Sequence, residues 1–237
     1  MLRNRLKFNY TLELIIFILL IVIQFVFLNA SPVCAQDESK YAQAAREMFV
    51  GGNYWLPTFN GSLFVDKPPM QYFFMMLGFK FFGINAFGAR FFSALLGCLT
   101  VFITYKFSHD YFGKKTATTT LIVMVSAFFF MQQFELAAPD PYLIFFTTIG
   151  LFSFFRFYKT QKSIHLIMFY FALGLGVLSK GPVALLLPGL AVGLFLIFGG
   201  ELKRFFLYQP ITGVLGVLLI SLPWYGLIHI ETLGEWT

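Results

Sequence analysis

The sequence predicts an all-α integral membrane protein of about seven transmembrane helices, with a long first external loop carrying interfacial helices. Three observations carry this. Of 237 residues, 58% are hydrophobic and only 12% charged, against about 45 to 50% and about 25% in a soluble domain. With 34 Phe and a mean hydropathy of +0.76, the chain holds more apolar side chain than one core of this size can bury, so much of its surface faces lipid. Nearly uncharged runs also recur along its whole length, each approaching the ~20 residues that cross ~30 Å of hydrocarbon. A net charge of +6 would suggest nucleic acid in a soluble protein; in lipid its placement matters more, and no nucleic-acid partner is expected.

The runs are Leu14 to Leu28, Phe91 to Tyr105, Thr116 to Phe134, Pro141 to Phe155, Ile164 to Ser179, Pro182 to Phe198 and Ile211 to Ile228. The first follows Arg3, Arg5 and Lys7 and reads as an uncleaved anchor. A cleaved signal peptide is the alternative, but the run is longer than a usual signal core and no clean A-x-A site follows it. An eighth apolar stretch, Met70 to Gly83, is shorter and contains Lys80. Whether it spans decides the topology, and the retention of Lys and Arg on the cytoplasmic side supplies the test. If it does not span, the cytoplasm receives 11 of the 17 basic residues: Arg3, Arg5, Lys7, Lys106, Lys114, Lys115, Arg156, Lys159, Lys162, Lys203 and Arg204. The outside then keeps 8 of the 11 acids: Asp37, Glu38, Glu47, Asp66, Glu135, Asp140, Glu231 and Glu235. Met70 to Gly83 is therefore expected to lie at the outer interface. The N-terminus falls inside, the C-terminus outside, and residues 30–88 form the external loop, long enough to be functional rather than connective.

Within that loop, Tyr41, Ala44, Ala45, Met48 and Phe49 follow helical spacing, and Asp37 and Glu38 sit where the helix dipole favours acids. Capping of that helix is the plain alternative for this acidic pair. Asp66-Lys67-Pro68-Pro69 follows a turn-rich stretch; two prolines stiffen the segment and hold its lysine at the mouth of a membrane cavity, where it suits a phosphate. A solvated pair between neighbours is the alternative. Asp140, between Pro139 and Pro141, stands at the outer end of the fourth predicted span, where an ionisable group marks a functional site by default or an N-cap. Lys180, between the fifth and sixth, and Arg90, opening the second, share that outer face, unless both snorkel to headgroups. Cations beside carboxylates fit chemistry on a lipid-linked phosphate: the cations stabilise the leaving phosphate and a carboxylate takes a proton from the attacking group. His109, His165 and His229 have no metal-ligand spacing, and Cys34 and Cys98 form no CxxC pair. There is no Walker loop, GxGxxG fingerprint or Ser-His-Asp pattern, so a nucleotide bound by such devices is not indicated.

The order of these pieces resembles the GT-C membrane glycosyltransferases, in particular the bacterial branch of lipid A aminoarabinose transferases and relatives of the protein O-mannosyltransferases. The matching segments are Asp37-Glu38, Lys40-Tyr41, Arg46-Glu47-Met48, Gly52 through Pro57, Asn60-Gly61, Asp66 through Pro69, Arg90, Pro139-Asp140, Gly174 through Pro182 and Pro223-Trp224-Tyr225. The resemblance implies Asp37 and Asp140 as the catalytic acids, and Glu38, Lys40, Tyr41, Lys67, Arg90 and Lys180 as substrate-binding residues. It implies a polyprenyl-phosphate sugar as donor, transferred with inversion to a lipid such as lipid A or to a protein, at the outer face of the bacterial inner membrane. No cofactor is required by it, although some relatives bind a divalent metal beside the acid that precedes the lysine, here Asp66. Family members normally continue with further spans, so residues 1–237 read as an N-terminal transmembrane catalytic module cut after the seventh span. The competing expectations are a transporter or flippase of lipid-linked sugar, which should show paired repeats about a midplane site, and a noncatalytic membrane fragment.

Overall fold

A computed structural model describes residues 11–30, 32–33 and 36–234. Arg3, Arg5, Lys7, Cys34 and Glu235 lie outside them, and with them the expected cytoplasmic N-terminus. The described chain is almost entirely helical. Helix α1 (Thr11–Val26) is followed by α2 (Gln36–Gly51), a two-residue-per-strand hairpin of β1 (Thr58–Phe59) and β2 (Ser62–Leu63), and α3 (Met70–Phe82). Then come α4 (Ala86–Phe112), α5 (Lys114–Ser126), α6 (Phe128–Gln133), α7 (Asp140–Thr160), α8 (Ser163–Lys180), α9 (Val183–Phe198), a 3-10 turn at Leu202–Tyr208 and α10 (Pro210–Glu231).

Among the described residues, four helices are long and apolar enough to cross a membrane: α4, α7, α8 and the stretch Phe205–Glu231 containing α10. Helices α1 and α9 are apolar but shorter, at 16 residues each. The remaining predicted span, Thr116 to Phe134, is not one continuous helix. Ala127 adopts an extended conformation, with ψ near 99°, and separates α5 from α6. The break turns Phe134 inward, where it is fully buried and packs so closely on Gly97 that a Cβ there would lie 2.7 Å from the Phe134 Cβ. Beyond the break, Phe128 and Phe129 on α6 are exposed, and Phe134 at its end is in the core.

Helix α3, at 13 residues, extends only about 20 Å and is too short to cross the hydrocarbon. It doubles back antiparallel along the first half of α4, with ring contacts from Phe82 to Phe87 and Phe91 and from Phe74 to Phe92. Two glycines permit the approach: a Cβ on Gly78 would run into the Gly88 carbonyl, and one on Gly88 would lie 2.5 Å from the Gly83 carbonyl oxygen. The turn between the helices uses Gly83 at φ +82 and Asn85, whose side chain accepts the Gly88 amide and caps α4.

The two ends of the bundle differ in charge. At one end, Lys106 lies in the last two turns of α4, Lys114 and Lys115 open α5, Lys159 is in the last turn of α7 and Lys162 precedes α8. Glu13 of α1 reaches this end, where it meets Lys114 at 3.3 Å and accepts the Thr118 hydroxyl at 2.8 Å. The opposite end gathers Asp37, Asp66, Asp140, Lys67 and Lys180.

Replacing Gly88 with Val should force α3 off α4. A loss of about 1–3 kcal/mol is expected from such overpacking, read as a lower unfolding midpoint in lipid nanodiscs. A wild-type midpoint would mean that the glycine approach is not what holds the pair together.

Candidate functional site

The site end is organised by Arg90, whose guanidinium is 4% exposed, and by Glu38, 3% exposed. Arg90 Nε donates to Glu38 Oε1 at 2.7 Å and Nη2 to Oε2 at 2.9 Å, a two-point pairing that only arginine offers. Nη1 donates to the Leu28 carbonyl at 2.8 Å and Nη2 to that of Pro32 at 3.3 Å, beyond the end of α1. Glu38 Oε1 also accepts the backbone amide of Ala137 at 2.9 Å, in the segment that leads into α7. Arg90 is thus not snorkelling to headgroups. One buried pair ties together α1, α2, α4 and the α6–α7 connection.

This fixes the two expected catalytic acids. Asp37 is next to Glu38 on the first turn of α2; its carboxylate is exposed and has no hydrogen-bond partner among the described residues. Asp140 lies three residues beyond Ala137 and is the first residue of α7, with Pro139 in the cap position and no side-chain cap bond. The N-cap alternative therefore does not describe it. Its Oδ1 instead accepts Lys180 Nζ at 2.5 Å, both side chains about one-third exposed. Lys180 ends α8, and Gly181 at φ +74 turns the chain away just behind it.

A second limb brings Asp66 and Lys67. Glu47 of α2 accepts the Thr58 hydroxyl at 2.7 Å, the Gln43 amide at 2.9 Å and the backbone amides of Asn60 at 2.8 Å and Gly61 at 3.3 Å. Four donors on one carboxylate pin the hairpin to the helix and hold Glu47 down at about 2, the Thr58 hydroxyl contributing most. After the hairpin, Val65 is buried with Trp224 and Ile228 of α10, and Leu178 of α8 packs beside them. The limb is therefore seated on the same helix that ends in Lys180. Asp66 then accepts the Tyr41 hydroxyl at 2.8 Å and faces Lys67 Nζ at 3.2 Å. Burial, and behind it the bond to Asp66, push the Tyr41 hydroxyl above its ordinary value and keep it a donor. Lys40 is half-buried on α2.

Around Asp66 no group of three His, Cys, Asp or Glu side chains converges among the described residues, and Asp66 Oδ2, which accepts the Tyr41 hydroxyl, also faces the Lys67 ammonium.

Several site-end residues carry no motif. Gln71, Tyr72 and Ser93 are fully buried, Tyr72 with its ring edge-on to Tyr41 at 6.3 Å, and Tyr142 of α7 stacks on Phe74 at 5.2 Å. Gln71 and Tyr72 sit in a run that reads as uniformly apolar, so periodicity hides them. Glu47 had a visible signal, an acid followed by a turn rich in Asn and Gly, but its partners could be assigned only in three dimensions.

Known proteins share this fold. The profile of a family described as dolichyl-phosphate-mannose-protein mannosyltransferase matches residues 66–225. An uncharacterized protein of Aquifex aeolicus (strain VF5) is 32% identical over 94% of this chain and 45% of its own length. The undecaprenyl phosphate-alpha-4-amino-4-deoxy-L-arabinose arabinosyl transferase 1 of Pseudomonas fluorescens (strain Pf-5) is 31% identical over 84% of this chain and 37% of its own length. The crystal structure of ArnT from Cupriavidus metallidurans bound to undecaprenyl phosphate superposes with a TM-score of 0.87 at 22% identity, covering 94% of this chain and 42% of that one. Its apo state gives 0.86 at 23%. The chain thus spans less than half the length of these relatives, and the solved structures establish the fold.

Removing one member of the buried pair should be costly: Arg90→Met or Glu38→Gln alone should destabilise by about 3–5 kcal/mol, and the double replacement Arg90→Met with Glu38→Met by less than their sum. Additive losses in nanodisc unfolding would show that the two side chains do not act as a unit. Glu47 gives a pH signature. Because its folded value lies below its ordinary 4.5, its contribution is whole above that value and is lost as the pH falls toward about 2. Protection of the Asn60 and Gly61 amides against hydrogen exchange, taken relative to the intrinsic rate at each pH, should fall across that window in the wild type, and in Glu47→Gln it should be low at every pH.

Proposed function

The chain belongs to the dolichyl-phosphate-mannose-protein mannosyltransferase family, and on that premise we propose that it is the membrane module of a glycosyltransferase using a polyprenyl-phosphate-linked sugar. The observation that carries the reading is the convergence of three acids and two lysines from α2, the hairpin limb, α7 and α8 on one end of an apolar bundle. The family description names a dolichyl phosphate sugar, the Pseudomonas relative an undecaprenyl phosphate sugar, and the Cupriavidus structure holds undecaprenyl phosphate. A sugar on a polyprenyl phosphate is their common chemistry.

In this reading the acceptor hydroxyl attacks the anomeric carbon from the face opposite the phosphate, which inverts the centre. The new oxygen–carbon bond forms as the carbon–oxygen bond to the phosphate breaks. Asp37, exposed and unengaged among the described residues, takes the hydroxyl proton. The electron pair leaves with the polyprenyl phosphate, whose growing charge Lys67 neutralises. Tyr41 and Asp66 hold that lysine, and Pro68 and Pro69 keep its backbone stiff. Asp140 places the Lys180 ammonium at the same mouth, as a second cation for donor or acceptor. Glu38 and Arg90 act by positioning these groups, and Lys40 extends the binding surface of α2. The acceptor is a lipid such as lipid A, another glycolipid, or a protein. By the partition of lysines and arginines, the acid-bearing end faces outward from the bacterial inner membrane and the N-terminus inward.

The test is sugar transfer by protein in lipid, with a panel of radiolabelled polyprenyl-phosphate sugars and a membrane acceptor extract. Asp37→Asn should lower turnover by a factor of about 10² or more. Lys67→Ala should weaken donor binding as well as turnover. Transfer unaffected by Asp37→Asn and by Asp140→Asn would remove both acids from the chemistry.

A further inference from the structure

Away from the acids, a cavity of about 390 Å³ opens between the end of α2, the Gly52–Leu56 turn and α3. Its floor is one stripe of α3: Phe73, Met76, Leu77 and Lys80, at the i, i+3, i+4, i+7 spacing of a single helix face. This face is distinct from the one that Gly78 and Phe82 turn to α4. Tyr54 and Trp55 form the wall and are 51% and 55% exposed.

An exposed tryptophan is ordinarily a loosely held one, and Trp55 is not. The Asn53 side chain accepts the backbone amides of both Trp55 and Leu56 at 3.2 Å, and the Trp55 carbonyl accepts Trp224 Nε1 at 3.2 Å. Its ring meets Phe73 edge-on at 5.6 Å. The backbone is clamped on both sides while the ring face is left open. Lys80 is exposed, has no ion pair among the described residues, and no carboxylate is among the side chains lining the cavity.

We infer that this cradle is a binding site for the headgroup of an anionic phospholipid, with Lys80 taking the phosphate and Trp55 and Tyr54 packing on the glycerol and upper acyl carbons. The charge asks for an anion and the stripe of Phe73, Met76 and Leu77 for an apolar chain continuous with it. Tryptophan and tyrosine with a free polar edge are the side chains that settle at headgroup depth. A lysine there extends its stem along the apolar floor and its ammonium to the phosphate. Helix α3, too short to span, presents Leu77 and Phe81 outward beside the cradle, so the ligand would enter from the membrane plane. The site is separate from the acids and independent of the transfer reaction.

The experiment places the protein in nanodiscs of phosphatidylcholine doped with brominated phosphatidylglycerol or, at equal fraction, brominated phosphatidylcholine. Tryptophan fluorescence is read in the wild type and in Trp55→Phe, so that the difference isolates Trp55. Brominated phosphatidylglycerol should quench Trp55 about two- to fivefold more than the zwitterionic lipid, in line with the attraction of one lysine for an anionic surface. Lys80→Gln should equalise the two lipids, and Lys80→Arg should keep the preference. Equal quenching in the wild type, a preference that survives Lys80→Gln, or no quenching by either lipid, as when protein covers the cradle, would overturn the inference.

Discussion

Arg90 and Glu38 are buried away from water, so every hydrogen bond they can make must come from the chain itself. The guanidinium meets this demand by reaching Glu38 and the carbonyls of Leu28 and Pro32, and the carboxylate by also taking the Ala137 amide. Each partner lies on a different segment. Satisfying the pair therefore fixes where α1 ends, how α2 begins, how deep α4 starts and how the chain approaches α7. Asp37 and Asp140 inherit their positions from it, one by being next to Glu38 and the other through Ala137.

The hairpin limb answers to a similar logic by weaker means. Glu47 collects donors from the turn, and Val65 buries itself against Trp224 of α10. Between those anchors the Asp66-Lys67 pair has little freedom, and Pro68 and Pro69 remove what remains. The lysine that faces the mouth is held by backbone stiffness and by the Tyr41–Asp66 bond rather than by burial. It stays partly solvated and able to meet a charged ligand. Asp140 and Lys180 are similarly half-open, joined at the ends of neighbouring antiparallel helices.

A bundle built this way separates rigidity from chemistry. The fully buried Arg90–Glu38 pair holds segments together, and the partly exposed Asp66–Lys67 and Asp140–Lys180 pairs are left at the mouth. Near the opposite end, Lys114 meets Glu13, Lys106 meets Asp110, and Lys159 lies over the Phe155 and Tyr158 rings.

Hydropathy and charge spacing were enough to determine the fold class, the apolar runs that became α1, α4 and α7 to α10, and the long connection between α1 and α4 with its two short helices. They suffice because a bilayer demands long apolar helices and tolerates charge only at their ends, constraints that act on local sequence. The break at Ala127 was not legible, since it follows from where Phe134 finds a pocket beside Gly97. Nor were the roles of Glu38 and Arg90. As letters they resemble ligands for a substrate, and they turn into a buried pair only when residues 52 positions apart meet. Glu47, Gln71, Tyr72 and Trp55 likewise gained their meaning from partners distant in the chain. Sequence by itself set which segments enter the membrane and which residue types face its surface. Tertiary structure alone decided which charges touch one another, because a hydrogen bond depends on distances of a few tenths of an ångström that no spacing along the chain encodes.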